Sequence, residues 1–243
     1  MFDENQYMVV PDDKDIKIWR YIDLGKFESL LKQRALYFCN SKCFKDNYEG
    51  SYSKNNKDVV VVMDDMGILE NFHGKHRELN EIYRENVHIN CWHMNDYENM
   101  AMWENYINGN EGIAIQSTYK RYGEAVMDDP NRMVYMGKVQ YIDYNKEIVP
   151  YNEGLWANFL RKRKEFRYEQ EIRAMYLLSQ NKINDASITK GGFVSTDVET
   201  LIECVYLYPN SDHIFKEKVE KLIHSYGISL DVRNSSLSDE PTF

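Results

Sequence analysis

The chain has 243 residues, of which 43% are hydrophobic and 28% charged, and this length suits one globular domain with its own core. Its 30 basic and 39 acidic side chains leave a net charge of −9, which argues against bulk electrostatic binding of nucleic acid. No apolar run is longer than the five residues of Val59 to Met63, which is too short for a membrane helix. The acidic N-terminus and four cysteines are typical of a cytoplasmic protein with reduced thiols.

Two periodicities divide the first half of the chain into short elements. Apolar residues that alternate with polar ones predict strands, and apolar residues three or four apart predict helices. Asp23 and Asp96 are each placed to cap a helix. In chain order we expect a loose arm over 1–15, a strand over 16–22, a helix after Asp23, a strand over 35–38, a loop over 39–56, a helical insertion over 57–86, a strand over 87–93, a helix after Asp96, a strand over 112–118 and a helix over 119–127.

The second half continues with strands over 134–144, 169–178, 193–195, 203–208 and 228–232, a basic helix over 153–166, a helix over 212–226 and a tail over 238–243. The spacing of these elements is not that of regular βαβ units, and no glycine-rich phosphate loop follows a strand. We therefore predict the α+β class. Residues 16–237 should form a single domain with a mixed, largely antiparallel sheet flanked by helices.

A pair of glutamates on the strand predicted over 169–178 is the first candidate site. Residues two apart on a strand project from one face, so Glu169 and Glu171 should stand in one row with Arg173 next to them. One carboxylate of such a row suits a ribose hydroxyl and the other an incoming nucleophile. A surface ladder of ion pairs explains the pattern equally well. Residues 161–173 carry a net charge of +3, which predicts a small anionic ligand beside the pair.

Arg20, between Trp19 and Tyr21 on the first strand, is the second candidate. Its planar guanidinium binds phosphate or carboxylate, and the neighbouring rings can stack on a base. Arg20 shares a predicted face with Ile18 and Ile22, which points it toward the interior. Because a buried arginine needs a partner, a structural ion pair with the glutamate row is the alternative.

Two further patterns carry weaker signals. Ser117 and Thr118 end an apolar strand, where hydroxyl groups orient a ligand or an arginine, or simply cap the next helix. His93 could bind a metal with Cys39 and Cys43. Their spacing matches no standard zinc pattern, so we expect no metal site.

Four ordered stretches resemble a widespread bacterial family of hypothetical proteins that is known only as a domain of unknown function. They are W-R-Y at 19–21, W-x-x-Y at 103–106, G-x-x-I at 112–115 and K-x-F-x-x-E-x-E-x-R at 164–173. The family usually has Asn-Asp-Pro-Phe-like residues in its first loop, whereas this chain has Lys-Asp-Asn-Tyr at 45–48. The family itself implies no activity.

A looser resemblance is to arginine-serine-glutamate type ADP-ribosyltransferases. Those enzymes have an arginine on the first strand, a serine-threonine pair on a central strand and an E-x-E motif on a later strand. The resemblance implies an NAD-dependent transferase or glycohydrolase with a nucleotide-like ligand. It implies that Arg20 holds an NAD phosphate, Ser117 orients the arginine or a ribose, Glu171 binds the ribose 2′-hydroxyl, Glu169 activates an acceptor, and Tyr21 or Trp103 stacks on nicotinamide. Lys164 in the basic run is a further candidate for binding the cofactor.

Three classes of function stay open, and each predicts a different arrangement of the candidate residues. A transferase or glycohydrolase predicts that Arg20 and Glu171 meet in one cleft with tyrosine or tryptophan on its wall. A non-enzymatic binding module predicts that the same two residues form a buried pair without an adjoining pocket. A metal-dependent nuclease predicts that Asp46, Glu49, Glu169 and Glu171 converge on magnesium with Lys164 nearby.

Overall fold

A computed structural model describes residues 8–67, 72–127, 132–149, 155–178 and 190–241. These residues form a mixed, largely antiparallel sheet flanked by helices, which confirms the predicted α+β class. No helix within these ranges is long and apolar enough to span a bilayer. Residues 1–7 of the expected arm and 242–243 of the expected tail lie outside the described residues.

The elements are short and come in an irregular order of strands and helices. The strands are β1 (Lys17–Asp23), β2 (Ala35–Asn40), β3 (Val87–Met94), β4 (Gly112–Thr118), β5 (Tyr135–Lys138), β6 (Gln140–Ile142), β7 (Arg161–Arg163), β8 (Glu171–Leu177), β9 (Gly191–Ser195), β10 (Cys204–Leu207) and β11 (Val232–Asn234). The α-helices are α1 (Leu24–Gln33), α2 (Lys54–Asp65), α3 (Phe72–Asn86), α4 (Met100–Tyr106), α5 (Tyr119–Ala125), α6 (Leu155–Phe159), α7 (Val198–Leu201) and α8 (His213–Ser225).

The main sheet runs in the order β11-β10-β4-β1-β3-β2-β9, and β8 pairs with both β3 and β5. Its neighbours are antiparallel except for β10 and β11, and a separate parallel pair joins β6 to β7. The largest apolar cluster lies on one face of the sheet, under α1 and α8, and includes Phe27, Leu31, Phe215 and Val219. The burial of these side chains is the main force that holds the two helices on the sheet.

Strand β3 is shared among three neighbouring strands. One edge of β3 pairs with β8 along nearly its whole length. The other edge pairs with β2 at its start, through His88 and Ile89, and with β1 at its end, through His93 and Met94. Between these contacts, over Asn90–Trp92, no described strand pairs with that edge. Strands β1 and β2 therefore diverge and leave a gap in the sheet.

Local capping chemistry explains where two of the helices begin. The prediction for Asp23 is confirmed, because its carboxylate accepts a hydrogen bond of 2.8 Å from the backbone N–H of Lys26. The prediction that Asp96 caps the next helix is wrong. Asn99 is the cap of α4 and accepts from the N–H of Ala101 at 2.9 Å. Both residue types suit the position, so the sequence alone did not distinguish them.

Several predicted boundaries are wrong, and at the strands this is because pairing with distant strands decides them. The basic helix expected over 153–166, of which 153–154 lie outside the described residues, is instead α6, β7 and a 3₁₀ helix over Lys164–Glu169. Residues 161–163 are a strand because they pair with β6. The strand expected over 134–144 is split into β5 and β6, the last predicted strand lies at Val232–Asn234, and α2 begins inside the loop expected over 39–56.

Candidate functional site

The gap between β1 and β3 opens into a cavity of about 250 Å³, here called the carboxylate cavity. Residues from β1, β2, β3, α1, α4, β7 and β8 contribute to its walls. Both Arg20 and Glu171 are part of the lining, so the structure brings these two predicted residues together in one cleft. The lining consists of Trp19, Arg20, Tyr21, Ile22, Lys26, Tyr37, Cys39, Phe44, Ile89, Cys91, Trp92, His93, Met102, Tyr106, Lys162 and Glu171.

Arg20 and Glu171 reach the cavity from opposite faces of the sheet. Trp19 pairs with His93, and His93 pairs with Glu171 on the next strand. Directly opposed residues share a face and adjacent residues alternate, so Glu171 shares the face of Trp19 and Arg20 points to the other. Both reach one space because β1 and β3 separate beyond Trp19, which leaves the cavity open through the gap.

Arg20 is a half-buried cation, and within the described residues no carboxylate pairs with it. Burial lowers the pKa of Arg20 from its ordinary value. The guanidinium remains charged at any physiological pH, since arginine is effectively never deprotonated in proteins. A charged group that gives up water without a protein partner is costly. The position of Arg20 on the cavity wall therefore favours an anionic ligand as its counterion.

A network of buried ion pairs holds Glu171 in place. One of its oxygens accepts from Lys162 Nζ at 2.7 Å, and the other accepts from Arg173 Nε at 2.5 Å. Arg173 also donates to both oxygens of Glu49, at 2.6 and 2.8 Å, and is fully buried. Lys162 in turn donates to Glu169. Two cations thus fix the position and the ionisation of the carboxylate that Glu171 contributes to the cavity lining.

The two glutamates of the E-x-E motif differ in protonation. Burial alone would raise the pKa of Glu171, but Arg173, a hydrogen bond from Glu169 and Lys162 hold it well below its usual range. Burial and the neighbouring Glu171 raise the pKa of Glu169 to about 8. At neutral pH the pair therefore carries one proton, and Glu169 holds it.

His93 presents an unpaired nitrogen within this site. The ring is 1% exposed, and its Nδ1 lies 2.6 Å from the backbone oxygen of Glu169. Because a carbonyl oxygen only accepts, Nδ1 carries the proton and Nε2 of the neutral ring carries a lone pair. Among the described residues Nε2 has no hydrogen-bond partner. Burial lowers the pKa of His93, so the neutral ring predominates at pH 7.

Aromatic rings form much of the rest of the cavity wall. Tyr21 is 4% exposed, and its hydroxyl accepts a hydrogen bond of 2.9 Å from the N–H of Asn99. Tyr106 is 47% exposed and stands near Glu171. Met102 and Tyr106 are four residues apart on α4, so they lie on the same side of that helix. The half-exposed ring of Tyr106 has the more room to stack on a planar ligand.

Three of the predicted ligand-binding residues lie outside the cavity lining. The side chain of Ser117 is fully buried and donates to the backbone oxygen of Leu201 at 2.5 Å. Trp103 is also fully buried, and its indole N–H donates to Glu98 at 3.1 Å. The exposed Lys164 pairs with Asp143 at 2.7 Å. Each has a polar atom engaged by the protein and lies outside the lining of this cavity, so the ligand contacts expected of these residues stay predictions.

Glu169 also has a different setting from the predicted one. It ends the 3₁₀ helix rather than standing on β8, because Gln170 adopts a left-handed backbone with φ of 38° between the two elements. It contacts Glu171 through a side-chain hydrogen bond and through Lys162, which both carboxylates share, instead of through a common strand face. The sequence did not single out Lys162, nor Lys26, Tyr37 and Tyr106, which also line the cavity. Nothing in the basic run 161–164 singles out Lys162, since the pairing of β7 with β6 decides which lysine points inward.

The carboxylates of the nuclease alternative are engaged by cations of the protein. Asp46 pairs with Arg163 at 3.1 Å, and Arg173 holds both oxygens of Glu49. Lys162 bridges the remaining two glutamates. Magnesium is bound by carboxylates whose oxygens are free to face it, so this arrangement does not suit a magnesium site.

No family model matches the sequence, and no curated protein matches it either. The resemblance to a family of unknown function therefore stays a prediction.

Solved structures that are similar to the chain include three of Thermus sp. 2.9 DarT. The one in complex with NAD+ is 9% identical with a TM-score of 0.43 and covers 94% of this chain and 99% of its own. The one in complex with ADP-ribosylated ssDNA is 9% identical with a TM-score of 0.43 and covers 96% and 100%. The one with carba-NAD+ is 10% identical with a TM-score of 0.41 and covers 93% and 97%. Similarity at this level does not transfer an activity.

Proposed function

We propose that the protein binds NAD in the carboxylate cavity and acts as an ADP-ribosyltransferase or NAD glycohydrolase. The observation that carries the proposal is the presence, in one cavity, of an arginine without a described carboxylate partner and a glutamate held ionised. NAD has an anionic diphosphate and a cationic nicotinamide ring. It therefore offers a counterion to Arg20 and a developing positive charge to Glu171.

Glu171 has the hydrogen-bonding capacity that this role requires. A carboxylate has about four lone-pair sites, and donors from Lys162, Arg173 and Glu169 use three of them. In the proposed complex the fourth accepts a hydrogen bond from the ribose 2′-hydroxyl. When the bond between C1′ and the nicotinamide nitrogen breaks, its electron pair leaves with nicotinamide and neutralises the ring. The positive charge then lies on C1′ and the ring oxygen of the ribose, where the fixed negative charge of Glu171 stabilises it.

His93 is the group that would take the proton of the attacking nucleophile. The neutral ring has its lone pair on Nε2, and the tautomer is fixed by the carbonyl of Glu169. Water or an acceptor group attacks C1′ and passes its proton to Nε2. Glu169 suits this role less well, because it already holds a proton at neutral pH.

The role of His93 predicts a pH effect. We expect the rate of nicotinamide release to rise with pH through the lowered pKa of His93 and then level off. His93→Gln should lower kcat by about 10²-fold or more and remove this acid limb. His224→Gln, at an exposed histidine of α8, is the control. An acid limb that survives His93→Gln would assign the proton transfer to another group.

The proposal as a whole is tested by release of nicotinamide from labelled NAD. We expect Glu171→Gln to reduce the rate by about 10²-fold or more, because it removes the charge that stabilises the transition state. Glu111→Gln, at an exposed carboxylate that pairs with Lys218, should leave it unchanged. Circular dichroism and the melting temperature report whether each variant folds.

Arg20→Gln is the second variant. No carboxylate among the described residues pairs with Arg20, so removing its charge leaves no buried partner unpaired. The variant should fold and should weaken NAD binding. The proposal is overturned if the wild-type protein shows no nicotinamide release and NAD does not raise its melting temperature. A rise in melting temperature without release would indicate that the cavity binds NAD without turning it over.

The acceptor panel should include single-stranded DNA as well as protein side chains. One of the similar structures holds ADP-ribosylated single-stranded DNA, whereas the net charge of −9 predicts no bulk nucleic-acid binding by this chain. Labelled product on one acceptor class identifies a transferase, and free ADP-ribose alone identifies a glycohydrolase.

A further inference from the structure

A second cavity of about 250 Å³ adjoins the first, between β1, α1 and β2, and is here called the apolar cavity. Among the described residues no carboxylate lines it. Leu30 and Leu36 belong to the largest apolar cluster, so the inner end of the cavity is part of the protein core. The apolar part of the lining is Ile22, Leu30, Ala35, Leu36, Ile115 and Phe193.

Arg20 lies between the two cavities. Four residues line both of them, and two of the four are the cations Arg20 and Lys26. Glu171 and His93 line only the carboxylate cavity. The two shared cations therefore lie between the carboxylate cavity, which holds the proposed reactive groups, and the apolar cavity.

Two exposed aromatic rings line the apolar cavity. Tyr37 and Phe193 pack edge to face with ring centroids 5.3 Å apart, across the pairing of β2 with β9. They are 39% and 42% exposed, so each ring keeps a free surface. A free aromatic surface beside an apolar slot suits a planar heterocycle. The hydroxyl of Tyr37 is engaged by the backbone oxygen of Lys190 at 2.9 Å, which fixes the ring.

We propose, on the basis of the proposed function, that the apolar cavity binds the adenosine half of NAD, with the diphosphate at Arg20 and Lys26. Each cavity alone is smaller than the roughly 300–1,000 Å³ typical of small-molecule sites, whereas the two together reach that range. The two cavities together therefore offer a dinucleotide more room than either cavity offers alone. The two cavities separate the nicotinamide half of the substrate, which reacts, from the adenosine half, which only supplies binding energy.

The experiment compares NAD+ with nicotinamide mononucleotide, which lacks the adenosine half, by isothermal titration calorimetry. Ser29 lies on α1, lines only the apolar cavity and is half-buried, so Ser29→Leu fills the apolar cavity without touching Glu171. We expect this variant to weaken NAD+ binding about tenfold or more and to leave binding of the mononucleotide unchanged. Lys32→Leu, at an exposed position of the same helix outside both linings, is the control.

A second variant guards against a folding defect. Phe193→Ala removes an exposed ring, so the variant should fold. It should weaken the binding of NAD+ and leave the binding of the mononucleotide unchanged. Equal effects on both ligands, or none on either, would overturn the assignment of the apolar cavity while the proposed function stands. No binding of NAD+ by the wild-type protein would overturn both.

Discussion

Glu169 and Glu171 share one lysine, yet only one of them is charged at neutral pH. Both are buried, which by itself disfavours the charged form of each. Arg173 and Lys162 offset that cost at Glu171, whereas Glu169 faces Lys162 alone and a neighbouring negative charge. Two carboxyl groups in contact cannot both ionise cheaply, so the proton stays with the group that has the weaker support.

The raised pKa of Glu169 predicts how the stability depends on pH. The folded protein keeps a proton on Glu169 between its ordinary value of 4.5 and about 8, whereas the unfolded chain releases it. The folded state binds more protons in this window, so its stability falls as the pH rises through it. Glu169→Gln keeps the shape of the protonated group and does not titrate. We expect it to reduce the loss of stability between about pH 6 and pH 8.5, as measured by urea unfolding.

A matched control for this measurement is Glu165→Gln. Glu165 belongs to the same 3₁₀ helix and is exposed. The Glu165→Gln variant should show the same dependence of the free energy of unfolding on pH as the wild-type protein. If Glu169→Gln and Glu165→Gln show the same slope as the wild-type protein, the proton does not lie on Glu169.

At the scale of elements, α4 forms one side of the carboxylate cavity and is tied to the C-terminal segment. Glu98, just before the cap of α4, accepts hydrogen bonds from Trp103, from the Ser235 hydroxyl at 2.7 Å, and from the backbone N–H of Ser236 at 2.8 Å. It also accepts from the Ser236 hydroxyl at 3.1 Å. One carboxylate thus satisfies donors from two elements that are distant in sequence. It thereby helps to position Met102 and Tyr106 on the cavity wall.

Loss of this carboxylate should destabilise the protein. Glu98→Ala leaves several donors unsatisfied, including the buried indole N–H of Trp103, and we expect a loss of about 2–4 kcal/mol in the free energy of unfolding. Glu104→Ala, at an exposed position on α4, should change it by less than about 0.5 kcal/mol. Chemical denaturation measures both. A similar small effect in the two variants would mean that the C-terminal segment is not held by Glu98.

At the scale of the whole molecule, the site exists because one strand serves three neighbours. Strand β3 pairs with β8 on one edge and with β2 and β1 at the two ends of the other, so the sheet opens between them. Three cations, Arg20, Lys26 and Lys162, line the resulting cavity in a chain whose net charge is −9. A surface that is acidic overall repels polyanions, whereas a cavity lined by cations attracts one small anion.

The sequence by itself determined the α+β class, the alternation that makes β1, β4 and β8 strands, and the cap at Asp23. It also pointed to Arg20 and Glu171, since arginine and paired glutamates are residue types that rarely lie in apolar strands without a reason. These features depend on short-range periodicity and on the chemistry of single residues. Both can be read from neighbours along the chain.

Only the tertiary structure decided which charged residues meet. The pairing of β7 with β6 made Lys162 a cavity residue and left Lys164 exposed, and the burial of Ser117 and Trp103 removed both from the cavity. Whether Arg20 would face a glutamate or a free space depended on the gap between β1 and β3. That gap follows from the pairing of residues about 70 positions apart, such as Trp19 with His93, which no local pattern encodes.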